Sequence, residues 1–224
     1  MEGGLHEAFV DELRDTYDAE KQLLKALPKL AKAASSEQLR TAFMDHAEET
    51  RGQIARLEQV FASLGEKVRG KHCDGMAGII EEGRAVMEED FDPATLDACL
   101  IASAQRSEHY EMAAYGTLAA WAKAMGHTEA AELLNATLEE EKATDEKLNE
   151  LAEGGINQQA ASAAQGDEDE DEDEGELVGA GARARSGASK STSRSSSAGK
   201  KSSGGAASGG RSSSGSRKKS GSRR

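Results

Sequence analysis

Cysteine, proline and aromatic residues are scarce in this chain of 224 residues. Its two cysteines, Cys73 and Cys99, are too few for a secreted scaffold held by disulfides, so we expect reduced thiols in a cytoplasmic protein. The two prolines, Pro28 and Pro93, leave long stretches free to be helical. No segment alternates β-branched and polar residues as a half-buried strand does. These absences argue against a sheet, and the abundance of Ala, Leu, Glu and Lys favours an all-α fold.

Long apolar runs are missing as well. No stretch reaches the roughly 20 apolar residues that span a membrane, and no apolar segment of a secretory signal follows Met1. We therefore predict a cytoplasmic protein with no membrane partner. From Gly154 onward large apolar residues almost disappear, so the last third of the chain cannot build a core. The predicted organisation is a helical bundle over residues 1–155 and a disordered tail over residues 156–224.

The net charge of −13 combines two opposed segments. Residues 1–153 contain 32 Asp and Glu against 16 Lys and Arg, a charge of −16, whereas residues 183–224 contain 12 Lys and Arg and no acid. Between them, residues 167–174 are eight consecutive acids. The acidic segment attracts metal cations and repels nucleic acid. The basic segment is open to two interpretations: a solubilising extension, or a region that binds DNA phosphates without reading sequence.

Apolar residues recur every three or four positions in five segments, which is the spacing of amphipathic helices. The predicted helices cover residues 5–34, 36–64, 75–89, 93–125 and 128–152. Residues 35–38 (SSEQ) fit a capping box before the second helix, and Asp92-Pro93 is a strong start signal for the fourth. Thr128 is the predicted cap of the fifth helix, which we expect to stop at Gly154-Gly155.

Acidic residues interrupt three of these apolar faces. Glu20 lies on the apolar face of the first helix, Glu108 and Glu111 share the face of the fourth, and Glu141 and Asp145 share that of the fifth. Burying ionised carboxylates without a partner is very costly. Two divalent cations bring about four positive charges, enough to offset several such carboxylates at once. We therefore predict that a metal site holds them together.

An internal repeat supports this prediction. Shifting the chain by 91 residues places Glu20 over Glu111, and Glu49-Thr50 over Glu140-Glu141. Two equivalent hairpins joined by a short crossover helix form a four-helix bundle of the kind that carries di-iron sites. In such bundles single carboxylates from two helices bridge the ions, and Glu-x-x-His pairs from the other two complete the ligand set. Oxygen and imidazole ligands suit iron, manganese or zinc better than copper(I).

Residues 5–153 resemble the YciE/YciF family of ferritin-like proteins, with rubrerythrin and ferritin as more distant relatives. The resemblance rests on four stretches of the sequence: residues 17–24 (YDAEKQLL), residues 46–50 (HAEET) with 56–58 (RLE), residues 108–118 (EHYEMAAYGTL) and residues 138–142 (LEEEK). It implies a ferritin-like bundle, a di-metal site, a homodimer and a role in stress response. It also implies a ferroxidase-like oxidation of Fe(II), with oxygen or peroxide as the acceptor.

The chain departs from the usual ligand pattern, because Glu-x-x-His occurs nowhere in it. Thr50-x-x-Gln53 occupies the expected register on the second helix, and Glu141-x-x-Thr144 does so on the fifth. We expect no catalytic residue beyond the metal ligands, and one tyrosine hydroxyl to hydrogen-bond a ligand carboxylate. His46 and Asp145 are either ligands or hydrogen-bond partners that orient ligands. For two ions of iron, with manganese or zinc as alternatives, the predicted ligand set is Glu20, His46, Glu49, Glu108, Glu111, Glu141 and Asp145.

We expect one of two functions. The first, which the resemblance implies, is that of a di-iron protein of the stress response with ferroxidase activity. The alternative is a stress-linked structural or DNA-binding protein that acts through residues 183–224, with a degenerate or non-catalytic bundle.

Overall fold

The computed structural model describes residues 4–163. These residues form five α-helices and contain no strand, which confirms the predicted all-α class for this region of the chain. None of the described helices is long and apolar enough to cross a membrane. The predictions for residues 167–174 and 183–224 concern residues outside the described range. The helices are α1 (Leu5–Ala33), α2 (Glu37–Ser63), α3 (Asp74–Val86), α4 (Pro93–Ala124) and α5 (Thr128–Leu151).

The start of α4 follows the prediction. The Asp92 carboxylate accepts hydrogen bonds from the backbone N–H groups of Ala94 at 2.9 Å and Thr95 at 3.1 Å, with Pro93 in the first turn. These bonds satisfy two of the donors that every helix start leaves without an intrahelical partner. Proline costs nothing at this position because its missing N–H is not needed there.

The caps of α2 and α5 differ from the prediction. Ser36, and not Ser35, caps α2 by accepting a hydrogen bond from Leu39 N at 3.3 Å. Leu39 occupies the third helical position, and its apolar side chain cannot accept a hydrogen bond from the backbone N–H of Ser36. The predicted capping box is therefore wrong. The cap of α5 is His127, whose side chain makes no capping bond, and Thr128 is already the first helical residue. Gly126 makes this tight connection possible, because its φ of 79° is readily adopted by glycine alone.

The end of α5 also differs from the prediction. A π-helical segment, Ala152–Ile156, follows α5 directly, and helical backbone resumes over residues 157–163. Leu148, Ala152 and Ile156 are spaced by four residues and all enter the same apolar cluster. Burial of Ile156 offsets the helix cost of Gly154 and Gly155, about 1 kcal/mol each. The wider π turn absorbs the φ of 145° at Gly155.

Four long helices enclose the interior. α1 packs against α2 and α4, and α5 packs against the same two helices, while α3 lies on α1 and α4. Two apolar clusters fill the space between them. The first contains Leu23, Phe43 and Leu100, and the second contains Phe9, Phe61 and other residues of the opposite helix halves.

A single carboxylate joins the beginning of α4 to the α1–α2 connection. Buried Asp97 accepts hydrogen bonds from Ser35 N at 2.8 Å, Ser35 Oγ at 2.6 Å and Ser36 N at 2.7 Å. Backbone N–H groups in such a turn need partners when water is excluded. Asp97 therefore fixes how the second pair of long helices docks on the first.

Replacing Asp97 by Ala should lower the free energy of unfolding by about 3 kcal/mol, since hydrogen bonds to a charged group contribute ~1.5–3 kcal/mol each and are not additive. Urea denaturation of the full chain measures this change. Asp90→Ala is the matched control, because Asp90 is exposed and lies just before α4. Equal midpoints for the two variants would contradict the role assigned to Asp97.

Candidate metal centre

A polar layer crosses the interior between the two apolar clusters. On α1, Tyr17 belongs to the second cluster and Leu23 to the first, and Glu20 lies between them. On α4, Ala104 and Tyr115 bracket two glutamates in the same way. The layer is therefore closed by apolar side chains on both sides. Its buried polar members are Glu20, His46, Thr50, Gln53, Glu108, Glu111 and Glu141.

Four of these side chains converge. His46, Glu108, Glu111 and Glu141 each offer one ligand atom, and these four atoms lie within 4.8 Å of one another. The three carboxylates are at most 1 % exposed, and His46 Nε2 lies 3.3 Å from Glu108 Oε1. The members come from α2, α4 and α5, and α5 packs against both of the other two helices. Three carboxylates and one imidazole at this spacing form a cage in which a cation can bind.

Glu20 lies beside this cage on α1. It is fully buried, and one of its oxygens accepts a hydrogen bond from the phenol of Tyr115. Burial, followed by the nearby carboxylate of Glu141, raises the pKa of Glu20 well above its ordinary value. Burial also raises the pKa of the Tyr115 phenol, so this phenol remains a hydrogen-bond donor. The hydroxyl of Tyr115 thus holds the Glu20 carboxylate of the polar layer by a hydrogen bond.

Glu49 and Asp145 lie at the margin of the layer. The side chain of Glu49 is 50 % exposed, and its Oε2 lies 3.5 Å from His46 Nδ1. Asp145 accepts a hydrogen bond from Gln105 at 3.3 Å and faces His109 Nε2 at 3.4 Å. The structure does not bring either carboxylate into the converging group of four. Glu49 is placed to orient the His46 ring when Nδ1 carries the proton.

The geometry of the polar layer is that of a possible cation site. Comparison with known proteins identifies the family to which the chain belongs. The family model described as a domain of unknown function, DUF892, matches residues 4–161. The chain belongs to the DUF892 family. Protein YciF of Escherichia coli K12 is 50 % identical over 161 residues, which cover 71 % of this chain and 97 % of YciF. The expected resemblance to the YciF family is confirmed.

Solved structures agree with this membership in DUF892. The crystal structure of the E. coli stress protein YciF matches with a TM-score of 0.67 at 50 % identity, covering 70 % of this chain and 99 % of YciF. YcfI of Rhodopseudomonas palustris, described as a candidate structural protein, matches with a TM-score of 0.65 at 44 % identity, covering 66 % and 94 % of the two chains. A protein of Xanthomonas campestris pv. campestris, 22 % identical over 72 % of this chain and 99 % of its own, shares the fold with a TM-score of 0.59.

Sequence reasoning missed a salt bridge that closes one side of this DUF892 site. Arg56 on α2 donates to both oxygens of Glu140 on α5, at 2.9 and 2.7 Å, and also to Thr137 Oγ1 at 2.6 Å. Gln53 donates to the same carboxylate at 3.3 Å. Such two-pronged pairs are among the stronger hydrogen bonds in proteins. The signal in the sequence was Arg56 itself, a cation three residues after Gln53 on the same helix face.

Burial determines the charge state of the cage. Desolvation is the main cause that raises the pKa of Glu108 and Glu111 well above the ordinary value, and neighbouring carboxylates add to it. Desolvation also raises the pKa of Glu141, although the adjacent His46 opposes the rise. Without a cation, folding therefore favours protonated acids.

The free energy of unfolding of the chelator-treated protein should fall as pH rises from about 5 to 8. The unfolded chain releases these protons near the ordinary glutamate pKa of 4.5, whereas folded Glu111 keeps its proton to higher pH. Over that window the native state binds more protons, so rising pH favours unfolding. Glu111→Gln removes one such group and should reduce the slope by up to about 1.4 kcal/mol per pH unit.

Urea denaturation at several pH values measures this slope. Glu132→Gln is the matched control, because Glu132 is an exposed residue of α5. The interpretation is wrong if the Glu111 variant and the control keep the parent slope.

Proposed function

We propose that this protein is a ferritin-like four-helix bundle that binds two divalent metal ions and oxidises Fe(II). One observation carries the proposal. Among residues 4–163, ten buried side-chain nitrogen and oxygen atoms have no hydrogen-bond partner, and seven of them belong to Glu20, His46, Glu108, Glu111 and Glu141. Folded proteins rarely leave so many buried polar atoms without partners in one place.

Protonation alone does not account for this layer. A neutral carboxylic acid no longer carries the cost of a buried charge, but its oxygens still need hydrogen-bond partners. Both oxygens of Glu111 and both of Glu141 lack one. A divalent cation supplies the missing partner and the balancing charge together. The oxygens without partners therefore favour metal binding over a purely structural polar layer.

The donor set limits which metals fit. We assign one ion to the cage of His46, Glu108, Glu111 and Glu141. A second ion is assigned to Glu20 together with carboxylates of that cage, which the two ions would share. A carboxylate-rich set with one imidazole suits iron, manganese or zinc and is poor for copper(I). Tyr115 holds Glu20 in place, and Arg56 holds Glu140 beside Glu141. Apolar clusters on both sides exclude bulk water from the layer.

The proposed reaction uses Fe(II) as the substrate. Two Fe(II) ions each lose one electron to hydrogen peroxide, which takes up two protons and leaves as two water molecules. With oxygen as the acceptor, the two electrons and two protons give hydrogen peroxide. The buried acids are suited to handle these protons, since cation binding displaces protons from groups whose pKa is raised. YciF is described as a stress protein, which supports a role for this chain in stress response. We further propose a cytoplasmic homodimer.

Anaerobic loading with Fe(II) followed by air tests the proposal. The double variant Glu20→Gln plus Glu111→Gln should oxidise Fe(II) roughly 100-fold more slowly than the parent. Loss of even an outer partner of a ligand commonly costs 10–100-fold. The absorbance of ferric iron against time gives the rate, and elemental analysis gives the ions bound per chain.

The matched control is Glu48→Gln plus Glu139→Gln, because both residues are exposed and the charge change is the same. Oxidation in the Glu20/Glu111 variant at the rate of this control would eliminate the assigned site.

A second proposal concerns DNA, and the 12 uncompensated positive charges of residues 183–224 favour it. The protein should shift duplex DNA in a gel at 50 mM salt, and the chain ended at Ala182 should not. Affinity should fall about 10³–10⁵-fold between 50 and 200 mM salt if 6–10 phosphates are contacted. Equal shifts for the two chains, or none for either, would remove this proposal.

A further inference from the structure

A cavity of about 110 Å³ lies between α2 and α5 and connects solvent to the buried cage. Its lining includes two nearly inaccessible members of the cage, His46 and Glu108, and two half-exposed charged residues, Glu49 and Lys147. One water molecule needs roughly 10–15 Å³ of such space, so the cavity has room for several water molecules. A hydrated cation can therefore approach the cage by this path.

The inner end of the cavity has the features of a receiving site. Glu108 Oε2 and His46 Nε2 are buried and make no hydrogen bond. His46 Nε2 is 3.3 Å from Glu108 Oε1, so one potential metal-ligand atom from α2 and one from α4 lie side by side there. These are the first members of the cage that an arriving ion meets.

The outer end carries a carboxylate between helices. Glu49 Oε2 lies 3.5 Å from His46 Nδ1 and 3.4 Å from Thr144 Oγ1, so this side chain spans from α2 towards α5. Lys147, the cation at the same opening, pairs with Asp45 at 3.3 Å, which partly neutralises its repulsion of metal ions. Glu49 has one oxygen directed to these contacts and is still half exposed, so it can take a hydrated ion from solvent.

We propose that metal ions reach the cage through this α2–α5 cavity, and that Glu49 is a transit residue which receives the ion and passes it to His46 and Glu108. This inference rests on the proposed metal-binding function. It assigns Glu49 a kinetic role that differs from permanent ligation. A divalent ion loses water as it moves from solvent to His46 and Glu108. With Glu49 at the opening, the ion has an anionic partner over part of this path.

The opposite side of α5 offers a competing route. A second surface depression is lined by Gln105, Arg106, His109 and Asp145, and no member of the cage reaches it. The Asp145 carboxylate there is engaged by Gln105 and His109. These features make that side the poorer path.

Stopped-flow mixing of the chelator-treated full chain with Co²⁺ tests the route, because Co²⁺ absorbs visible light when carboxylate and imidazole ligands bind it. Glu49→Gln should slow loading about 10-fold, the lower end of the effect of a charged cleft on ion capture. It should slow removal of Co²⁺ by a chelator by the same factor, so the dissociation constant stays within about threefold. Ala143→Leu places a larger side chain in the lining and narrows the cavity, so it should also slow both loading and removal of Co²⁺.

Matched controls are Glu48→Gln, the neighbouring exposed acid, and Ala62→Leu, an exposed alanine of α2 away from the cavity. Both should load at the parent rate. Weaker equilibrium binding and faster release in Glu49→Gln would make Glu49 a ligand and overturn the transit role. Slower loading in Asp145→Asn, with Glu49→Gln unchanged, would move the route to the other side of α5. If the parent itself binds no Co²⁺, Fe²⁺, Mn²⁺ or Zn²⁺, the proposed function fails, and the route fails with it.

Discussion

Four carboxylates in a dry interior impose the constraint on which the rest of this structure depends. Glu20, Glu108, Glu111 and Glu141 are each at most 1 % exposed and lie between two apolar clusters. A chain gains nothing in stability from such an arrangement unless a cation offsets the desolvation. The apolar clusters must then hold the helices together, because the layer between them adds no stability of its own.

The surroundings of the layer are consistent with this division of roles. Tyr115 and Arg56 each restrain a glutamate from a neighbouring helix. Asp97, on the same helix as Glu108 and Glu111, performs a structural task by fixing the α1–α2 connection to α4. Asp97 has its hydrogen-bond partners, whereas each of the four buried glutamates has at least one oxygen without a partner among residues 4–163.

Helical periodicity was sufficient to locate the buried acids, because residues three or four apart on a helix share one face. Glu20, Glu111 and Glu141 are buried as that spacing predicts. Periodicity could not decide a residue at the edge of a face, such as Glu49. It placed Asp145 on the apolar face of the fifth helix, although Asp145 lies at the margin of the polar layer. It also could not reveal Arg56 with Glu140, since long side chains reach across helices in ways that the sequence of one helix does not record. The end of α5 was mispredicted because Gly154-Gly155 is a local stop signal, and burial of Ile156 overrides it.

The two halves of the polar layer are chemically unequal, since α2 contributes the neutral side chains Thr50 and Gln53 where a symmetric bundle would have a second acid and a second imidazole. Cations in such a layer would be held with different strengths. Under the proposed function, occupancy would therefore rise in two steps as metal is added, because two unlike sites do not fill at the same concentration.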